Sequence, residues 1–281
     1  MLILSHNVDN GGANVRPRLL EWTDREQPDL VTLQELIRGS IDAWRSEFVQ
    51  RRYHVVDTFE FDDRYAIPAS DPLRNHGLLI ASRWPLRALD ARRLKVEWPD
   101  RILSVTMHTP EGDIEAHTTH VPNGSVGYAK LREGDGGARL EKKMETLEGV
   151  YRALAANPHK PRILTGDFNE PMTEHSNGTF TYWSDYRQTP ARYRDRWRTA
   201  AAGMFERLPQ LGVRDIYREL HGPTGTGSSW TARNKTGRRY DHVFASHHFQ
   251  ATSCDYDPTF QLHQNAHAAI IATLELIQVP D

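Results

Sequence analysis

The residues that could do chemistry stand at the ends of short apolar runs. Asn7 and Asp9 close the run from Leu2 to Val8, and Gln34-Glu35 lies near the end of the run from Asp29 to Leu36. His120-Val121-Pro122-Asn123 follows the run from Ile114, and Gly166-Asp167-Phe168-Asn169 follows the run from Arg162. Tyr240-Asp241-His242 opens a late run, and Asn265-Ala266-His267 lies near the C-terminus. A strand fixes its terminal side chain while the following loop leaves it open to substrate. Carboxylates and amides dominate this set. Such oxygen donors suit Mg²⁺ or Mn²⁺, which keeps several waters and shares its coordination sphere with phosphate oxygens. The chemistry indicated is metal-assisted attack on a phosphoryl group.

Each piece alone also has an ordinary reading. Asn7 or Asp9 before Gly11-Gly12 equally suits a turn, Glu35 equally suits a solvated or capping acid, and Asp167-Phe168-Asn169 before Pro171 equally suits a loop. His120 and His267 are two of fourteen histidines, most of which must be surface or packed residues. The ordered combination carries the information.

The elements that must position these groups follow from periodicity. The spacing predicts strands at Leu2–Val8, Asp29–Leu36, Tyr53–Phe61, Gly77–Ala81, Ile102–Met107, Ile114–Val121, Arg162–Gly166, Tyr240–Ser246 and Ala268–Val279. Amphipathic stretches at Val15–Glu26 and Ser40–Gln50 read as helices. From Ala138 to Ala155, Leu140, Met144, Leu147, Tyr151 and Leu154 recur at helical spacing, with Glu141, Lys142, Lys143 and Glu145 on the polar face. A long polar stretch, Glu170 to Arg198, reads as a loop-rich insertion. Strands at hairpin spacing with flanking helices predict a mixed α/β sandwich, helices outside two central sheets.

Composition bounds the rest. The 281 residues show no dividing linker, so one domain over 1–281 is expected. No apolar run approaches a membrane span, and the polar N-terminus is unlike an export signal. Cys254 is the single cysteine, which excludes an intramolecular disulfide and a multi-thiolate zinc site and suggests a reducing, cytoplasmic setting. A net charge of −2 argues against bulk electrostatic coating of polyanions, so nucleic-acid contact requires a local patch. No protein partner is indicated.

In this order, the motifs resemble those of the exonuclease III and apurinic-endonuclease branch of the endonuclease/exonuclease/phosphatase superfamily, over nearly the whole chain. Ser5-His6-Asn7-Val8 resembles its opening S-W-N-V, Leu33-Gln34-Glu35 its L-Q-E, and Gly77-Leu78-Leu79-Ile80-Ala81-Ser82 its glycine-led strand. Val121-Pro122-Asn123-Gly124 resembles its V-P-N-G, and Gly166-Asp167-Phe168-Asn169 its G-D-x-N. Leu211-Gly212-Val213-Arg214-Asp215-Ile216-Tyr217-Arg218-Glu219-Leu220-His221 resembles its helix after the insertion, and Arg239-Tyr240-Asp241-His242 its R-I-D-Y. The resemblance implies a four-layer αββα sandwich of the deoxyribonuclease I type. It implies that Glu35 binds Mg²⁺ or Mn²⁺ with support from Asn7 and Asp9, and that Asp167 activates or orients water. Asn169 would hold a phosphate oxygen or the nucleophile, Asn123 would position the phosphate, Asp241 would serve the hydrogen-bond and metal network, and His267 would contact the scissile phosphate.

Two positions depart from the pattern. His120 stands where this branch has tyrosine, and an imidazole can also protonate a leaving oxygen. Ala266 stands where the S-D-H motif has aspartate; it leaves His267 without that acid neighbour, with Asp255 and Asp257 as alternative partners. The expectation is a lowered His267 pKa and impaired turnover.

For substrate, arginines and aromatics interleave in the insertion, including Arg192, Arg194, Arg196 and Trp197. This pattern suits phosphate contact and base stacking, though it equally suits a packed loop. Arg233, Lys235, Arg238 and Arg239 form a second basic group, and Lys130, Arg132, Arg139, Lys142 and Lys143 a third. The resulting expectation is a DNA phosphodiesterase acting at abasic sites, nicks or 3′ ends. The alternatives are a phosphatase or small-nucleotide or RNA phosphodiesterase, and an impaired nucleic-acid-binding form.

Overall fold

Alternation along the strands builds the architecture, because successive side chains of a strand face opposite ways. The computed structural model describes residues 1–61, 76–89, 98–124, 135–156, 159–263 and 265–277. In chain order the strands are β1 (Leu2–Asn7), β2 (Leu30–Leu36), β3 (His54–Asp57), β4 (Gly77–Ser82), β5 (Leu86–Ala88), β6 (Ile102–Thr109), β7 (Gly112–His120) and β8 (Arg162–Asp167). There follow β9 (Thr173–Glu174), β10 (Phe180–Thr181), β11 (Val213–Asp215), β12 (Trp230–Thr231), β13 (Gly237–Arg238), β14 (Asp241–Ser246), β15 (Phe249–Asp257) and β16 (Ala269–Leu276). The helices are α1 (Arg16–Glu26), α2 (Arg38–Gln50), α3 (Asp135–Ala155), α4 (Ala191–Ala202) and α5 (Ile216–His221). One six-stranded sheet runs β15-β16-β1-β2-β4-β3 and the other β11-β14-β8-β7-β6-β5. Each contains one parallel pair, β1 with β2 and β7 with β8, in otherwise antiparallel surroundings.

Three apolar layers hold four structural layers together. Ile3, Leu30 and Ile80 of the first sheet meet Val105, Ala116, Ile163 and Val243 of the second. The alternate residues Leu4, Val31 and Leu33 face outward onto Leu19 of α1 and Trp44 and Phe48 of α2. On the far side, Leu164 and Phe244 pack on Met144 and Leu147 of α3 and Trp197 of α4. Burial of each such side chain stabilises the fold by roughly 1.5–3 kcal/mol, which is why the layers close. This is the αββα sandwich the sequence predicts.

The layer between the sheets changes character along its length. Inward positions run Ile3, Ser5, Asn7 on β1; Leu30, Thr32, Gln34 on β2; and Ile163, Thr165, Asp167 on β8. Hydrocarbon gives way to hydroxyl, then to carboxylate and amide. The hydroxyl tier is paired: Thr32 Oγ1 lies 2.8 Å from Thr165 Oγ1 across the gap, and Gln34 Nε2 donates to Ser5 Oγ of its own sheet at 3.1 Å and to Thr118 Oγ1 of the facing sheet at 2.9 Å. Buried polar groups are tolerated when paired in this way. The gradient delivers the polar strand ends to one edge of the sandwich.

The structure differs from the sequence reading in several places, among them Val213–Asp215, which is strand β11 where the resemblance implied helix, the helix beginning only at Ile216. The stretch from 170 to 198 is not loop throughout: α4 begins at Ala191, burying Trp197, Ala200 and Ala201 at helical spacing while arginines fill the other positions. The expected strand at 53–61 stops at Asp57, where its carboxylate accepts from the Phe59 and Glu60 amides and starts a 3₁₀ turn. β15 is an edge strand with few buried positions, so it lacks the alternation that would announce it.

Candidate active site

A register shift places the first carboxylate. β2 pairs with β4 as Leu33 with Leu79 and Leu36 with Gly77, so β2 carries one extra residue. Such a bulge re-aims a side chain. Glu35 lies within it at φ 60°, and its Oε1 accepts from Asn7 Nδ2 at 3.1 Å while its Oε2 accepts from the Asn10 amide at 3.3 Å.

Asn7 joins the two sheets. Its Nδ2 also donates to Asp167 Oδ2 at 2.9 Å, and its Oδ1 accepts from the Asp9 amide at 3.1 Å. Asp167 is gripped locally, since Asn169 donates to it from the backbone at 2.9 Å and from Nδ2 at 3.2 Å. The preceding Gly166 sits at φ +135°, and a Cβ there would lie 2.0 Å from the Thr119 carbonyl, so this position on β8 requires glycine. Burial, with the charges of Asp241 and Glu35, raises the Asp167 pKa to about 7.

Two imidazoles flank this carboxylate in opposite protonation states. His267 Nδ1 lies 2.6 Å from Asp241 Oδ2, and its Nε2 faces Asp167 Oδ2 at 3.9 Å. Burial disfavours its charge, but Asp241 and Asp167 outweigh that penalty and raise the pKa to about 10. His120 Nε2 lies 3.4 Å from Glu35 Oε1 and 3.9 Å from Asp167 Oδ2. Burial and then the Arg101 charge hold His120 well below the usual histidine range, so it is neutral at pH 7.

Asn7, Asp9, Glu35, Asn123, Asp167, Asn169, Asn265 and His267 line a cavity of about 410 Å³. Trp183, Trp230 and Tyr240 complete the lining as an aromatic wall. Their polar edges are spoken for: Trp183 Nε1 donates to Tyr240 Oη at 3.1 Å and Trp230 Nε1 to the Asn265 carbonyl at 3.1 Å.

The sequence profile of the Endonuclease/Exonuclease/phosphatase family matches residues 4–261. The chain belongs to this family. Among solved structures, an AP endonuclease from Archaeoglobus fulgidus superposes with a TM-score of 0.69 at 19% identity, covering 98% of this chain and 100% of that one. The 3′ phosphatase NExo from Neisseria, bound to product DNA hairpin, gives 0.68 at 18%, covering 98% and 99%. The 3′-5′ exonuclease NExo from Neisseria meningitidis gives 0.66 at 19%, covering 99% and 100%. At these identities the likeness establishes the shared fold. Among curated proteins none matches this chain in sequence.

Members of the family are hydrolases of phosphoester bonds that use a divalent metal, and the residues here fit one. Among the described residues two groups offer ligand atoms that lie, within each group, no more than 4.8 Å apart: Glu35, His76 and His120, and Asp167, Asp241 and His267. Asp241 Oδ1 is buried without a hydrogen-bond partner among the described residues, a further sign of a site built to hold charge.

Several expectations are corrected. Ala266 does not leave His267 without an acid, because Asp241 reaches it from β14; Asp255 instead pairs with His221, and Asp257 caps Thr259. Asp241 Oδ2 is therefore committed to the imidazole. His120 is neutral at pH 7, so its ring proton is that of a neutral N–H donor and not of the imidazolium that protonating a leaving oxygen would draw on. Asp9 stands at the cavity rim, bound to His263 Nε2 at 2.8 Å.

Of the expected substrate contacts, Trp197 is core, donating from Nε1 to Glu170 Oε1 at 2.6 Å. Arg239 is buried between Asp215 and Glu174. Arg196 binds Glu141 and Glu148 of α3, and Arg194 donates to the Thr189 and Arg187 carbonyls. Arg192 is exposed, its guanidinium over Tyr193, and Asn123 is exposed at the cavity. Lys142 and Lys143 are buried rather than on a polar face, bound to Asp100 and to the Asn169 carbonyl. Lys130 and Arg132 lie outside the described residues.

Sequence reasoning missed His76, Arg101 and, in the aromatic wall, Trp230, and it placed the buried Lys143 on a polar face. His76 had a signal, for it directly precedes an apolar strand, as Asp241 nearly does. Arg101 had none, because only burial distinguishes it from surface charge.

Proposed function

We propose that this chain is a cytoplasmic Mg²⁺- or Mn²⁺-dependent phosphodiesterase, one catalytic domain over 1–281, that hydrolyses DNA at abasic sites, nicks or 3′ ends. The observation that carries this reading is the junction of Glu35, Asn7 and Asp167 beside a charged His267, all facing one cavity with an aromatic wall. The carboxylate oxygens of Glu35, with the Asp9 carboxylate lining the same cavity, suit a hard cation, which when bound would neutralise charge growing on the phosphoryl oxygens.

The chain's own groups do the rest. Asp167, raised toward neutrality, orients a water and takes its proton. Asn7 and Asn169 fix that carboxylate, so its lone pair points into the cavity rather than wandering. The His267 imidazolium donates to a nonbridging phosphate oxygen, and its charge stabilises the transition state. His120 offers a neutral N–H from the opposite side. Trp183, Trp230 and Tyr240 present faces on which a sugar or unpaired base packs, with the Arg238 guanidinium 4.6 Å over the Trp183 ring. The AP endonuclease and NExo likenesses support DNA as the substrate class.

The test is cleavage of nicked, abasic-site and 3′-phosphate duplexes with Mg²⁺, Mn²⁺ and chelator. Metal-dependent incision or end processing supports the reading. Undiminished hydrolysis after exhaustive chelation, or turnover of small phosphoesters without cleavage of any duplex, sinks it.

A further inference from the structure

Glu35, His76 and His120 form a donor set of two imidazoles and a carboxylate. Glu35 Oε2 lies 3.8 Å from His76 Nδ1 and Glu35 Oε1 lies 3.4 Å from His120 Nε2. Nitrogen donors of this kind favour Zn²⁺ or Co²⁺ over Mg²⁺, and raw affinity rises toward the later transition ions. A neighbour decides whether His120 is available to them. A histidine that ligates through one nitrogen ordinarily donates the proton of the other to a carboxylate, carbonyl or water.

Here the other nitrogen meets the opposite partner. His120 Nδ1 lies 3.1 Å from Arg101 Nη1, and a guanidinium has donors only. Nδ1 must accept, so the ring proton sits on Nε2, the atom that faces Glu35. Arg101 is held in place: it is buried, its Nε lies 3.2 Å from Asp100 Oδ2, and its carbonyl accepts from Thr119 Oγ1 at 2.7 Å.

We propose that Arg101 determines metal specificity by locking the proton on His120 Nε2, which denies that nitrogen to a transition ion and leaves Glu35 to a hard cation. This rests on Glu35 being the metal ligand of the proposed function. His120 then serves as a fixed N–H donor, and Arg101 is a positioning residue acting through it.

The experiment is Co²⁺, Mn²⁺ and Mg²⁺ titration of the DNA-free protein, with the visible absorption of Co²⁺ as the readout of nitrogen ligation. In the wild type, His120→Asn leaves Co²⁺ affinity essentially unchanged. In Arg101→Gln the amide carbonyl accepts the Nδ1 proton and frees Nε2, so Co²⁺ binds at least about tenfold tighter with stronger absorption. That gain disappears in Arg101→Gln/His120→Asn, Mg²⁺ affinity does not follow it, and donor-only Arg101→Lys behaves as wild type. A folded Arg101→Gln without the gain overturns the inference. So does a wild type whose Co²⁺ affinity falls about tenfold on His120→Asn, a comparison that stands even where Arg101→Gln fails to fold. Mn²⁺ binding indifferent to Glu35→Gln overturns the underlying reading of the site; Mn²⁺ binding lost in Glu35→Gln with no gain in Arg101→Gln overturns this inference alone.

Discussion

Asp241 Oδ2 and His267 Nδ1 lie 2.6 Å apart, joining the start of β14 to the residue just before Ala268 and β16. Asp241 is fully buried and its backbone is pinned, since its amide donates to Ser229 Oγ at 3.0 Å and its carbonyl accepts from Tyr256 Oη at 2.6 Å. The acid that charges His267 thus comes from another strand, 26 residues away, and position 266 is not needed for it.

Asp241→Asn is expected to lower the His267 pKa from about 10. The imidazolium is then lost at lower pH, so the alkaline limb of the rate profile moves down. At neutral pH the rate falls by about a hundredfold, the effect of losing one charge-assisted contact in the transition state. An unshifted alkaline limb removes His267 from the phosphate.

Glu35→Gln keeps shape and removes charge, so metal affinity and rate should fall together while the melting temperature holds. The measurement is a Mn²⁺ titration paired with single-turnover cleavage. A change in rate with an unchanged titration assigns Glu35 to substrate instead of metal.

Lys143→Met should destabilise strongly. Lys143 Nζ lies 3.3 Å from Glu170 Oε1 and donates to the Asn169 carbonyl at 2.9 Å, with both charges in the core. Removing one partner strands the other, at a cost of about 3–5 kcal/mol in denaturant unfolding. Lys143→Met/Glu170→Gln should cost less than Lys143→Met alone. Equal losses in the two variants would mean that the pair is not coupled.

Gly166→Ala should cost at least about 2 kcal/mol, because the new methyl meets the Thr119 carbonyl and φ is in the region glycine favours. Activity should fall with stability, since the displaced strand carries Asp167. A variant as stable as wild type contradicts the close approach of β7 and β8.

His117 supplies a pH test remote from the site. Burial lowers its pKa to about 4 from 6.5, so the unfolded state binds more protons between those values. Its contribution is therefore neutral above pH 6.5 and turns destabilising as pH falls toward 4, by about 1.4 kcal/mol per pH unit. His117→Asn, which can still reach Ser104 Oγ, should lose less stability than wild type over that window. Parallel pH profiles for the two proteins would show that His117 titrates normally.

Chemistry at strand ends was legible because the sequence writes it locally: an apolar alternation, then Asn7, Glu35, His120, Asp167 or Asp241. The sandwich followed from the same alternation, which dictates an inner and an outer face for every strand. Three-dimensional packing alone decided which polar groups meet. The bulge that turns Glu35 inward depends on pairing with β4, and the acid for His267 depends on β14 lying beside β8 and within reach of the chain entering β16. Packing also sorted the cations. Lys142, Lys143, Trp197 and Arg239 look like surface binders in one dimension, because a charged or amphipathic residue at helical or turn spacing carries no local mark of burial. Their partners, Asp100, Glu170 and Asp215, are distant in sequence, and only a folded chain brings opposite charges close enough for burial to be tolerated. Protonation was decided last and least locally: His267 and His120 are the same side chain, made cationic by Asp241 and neutral by burial beside Arg101.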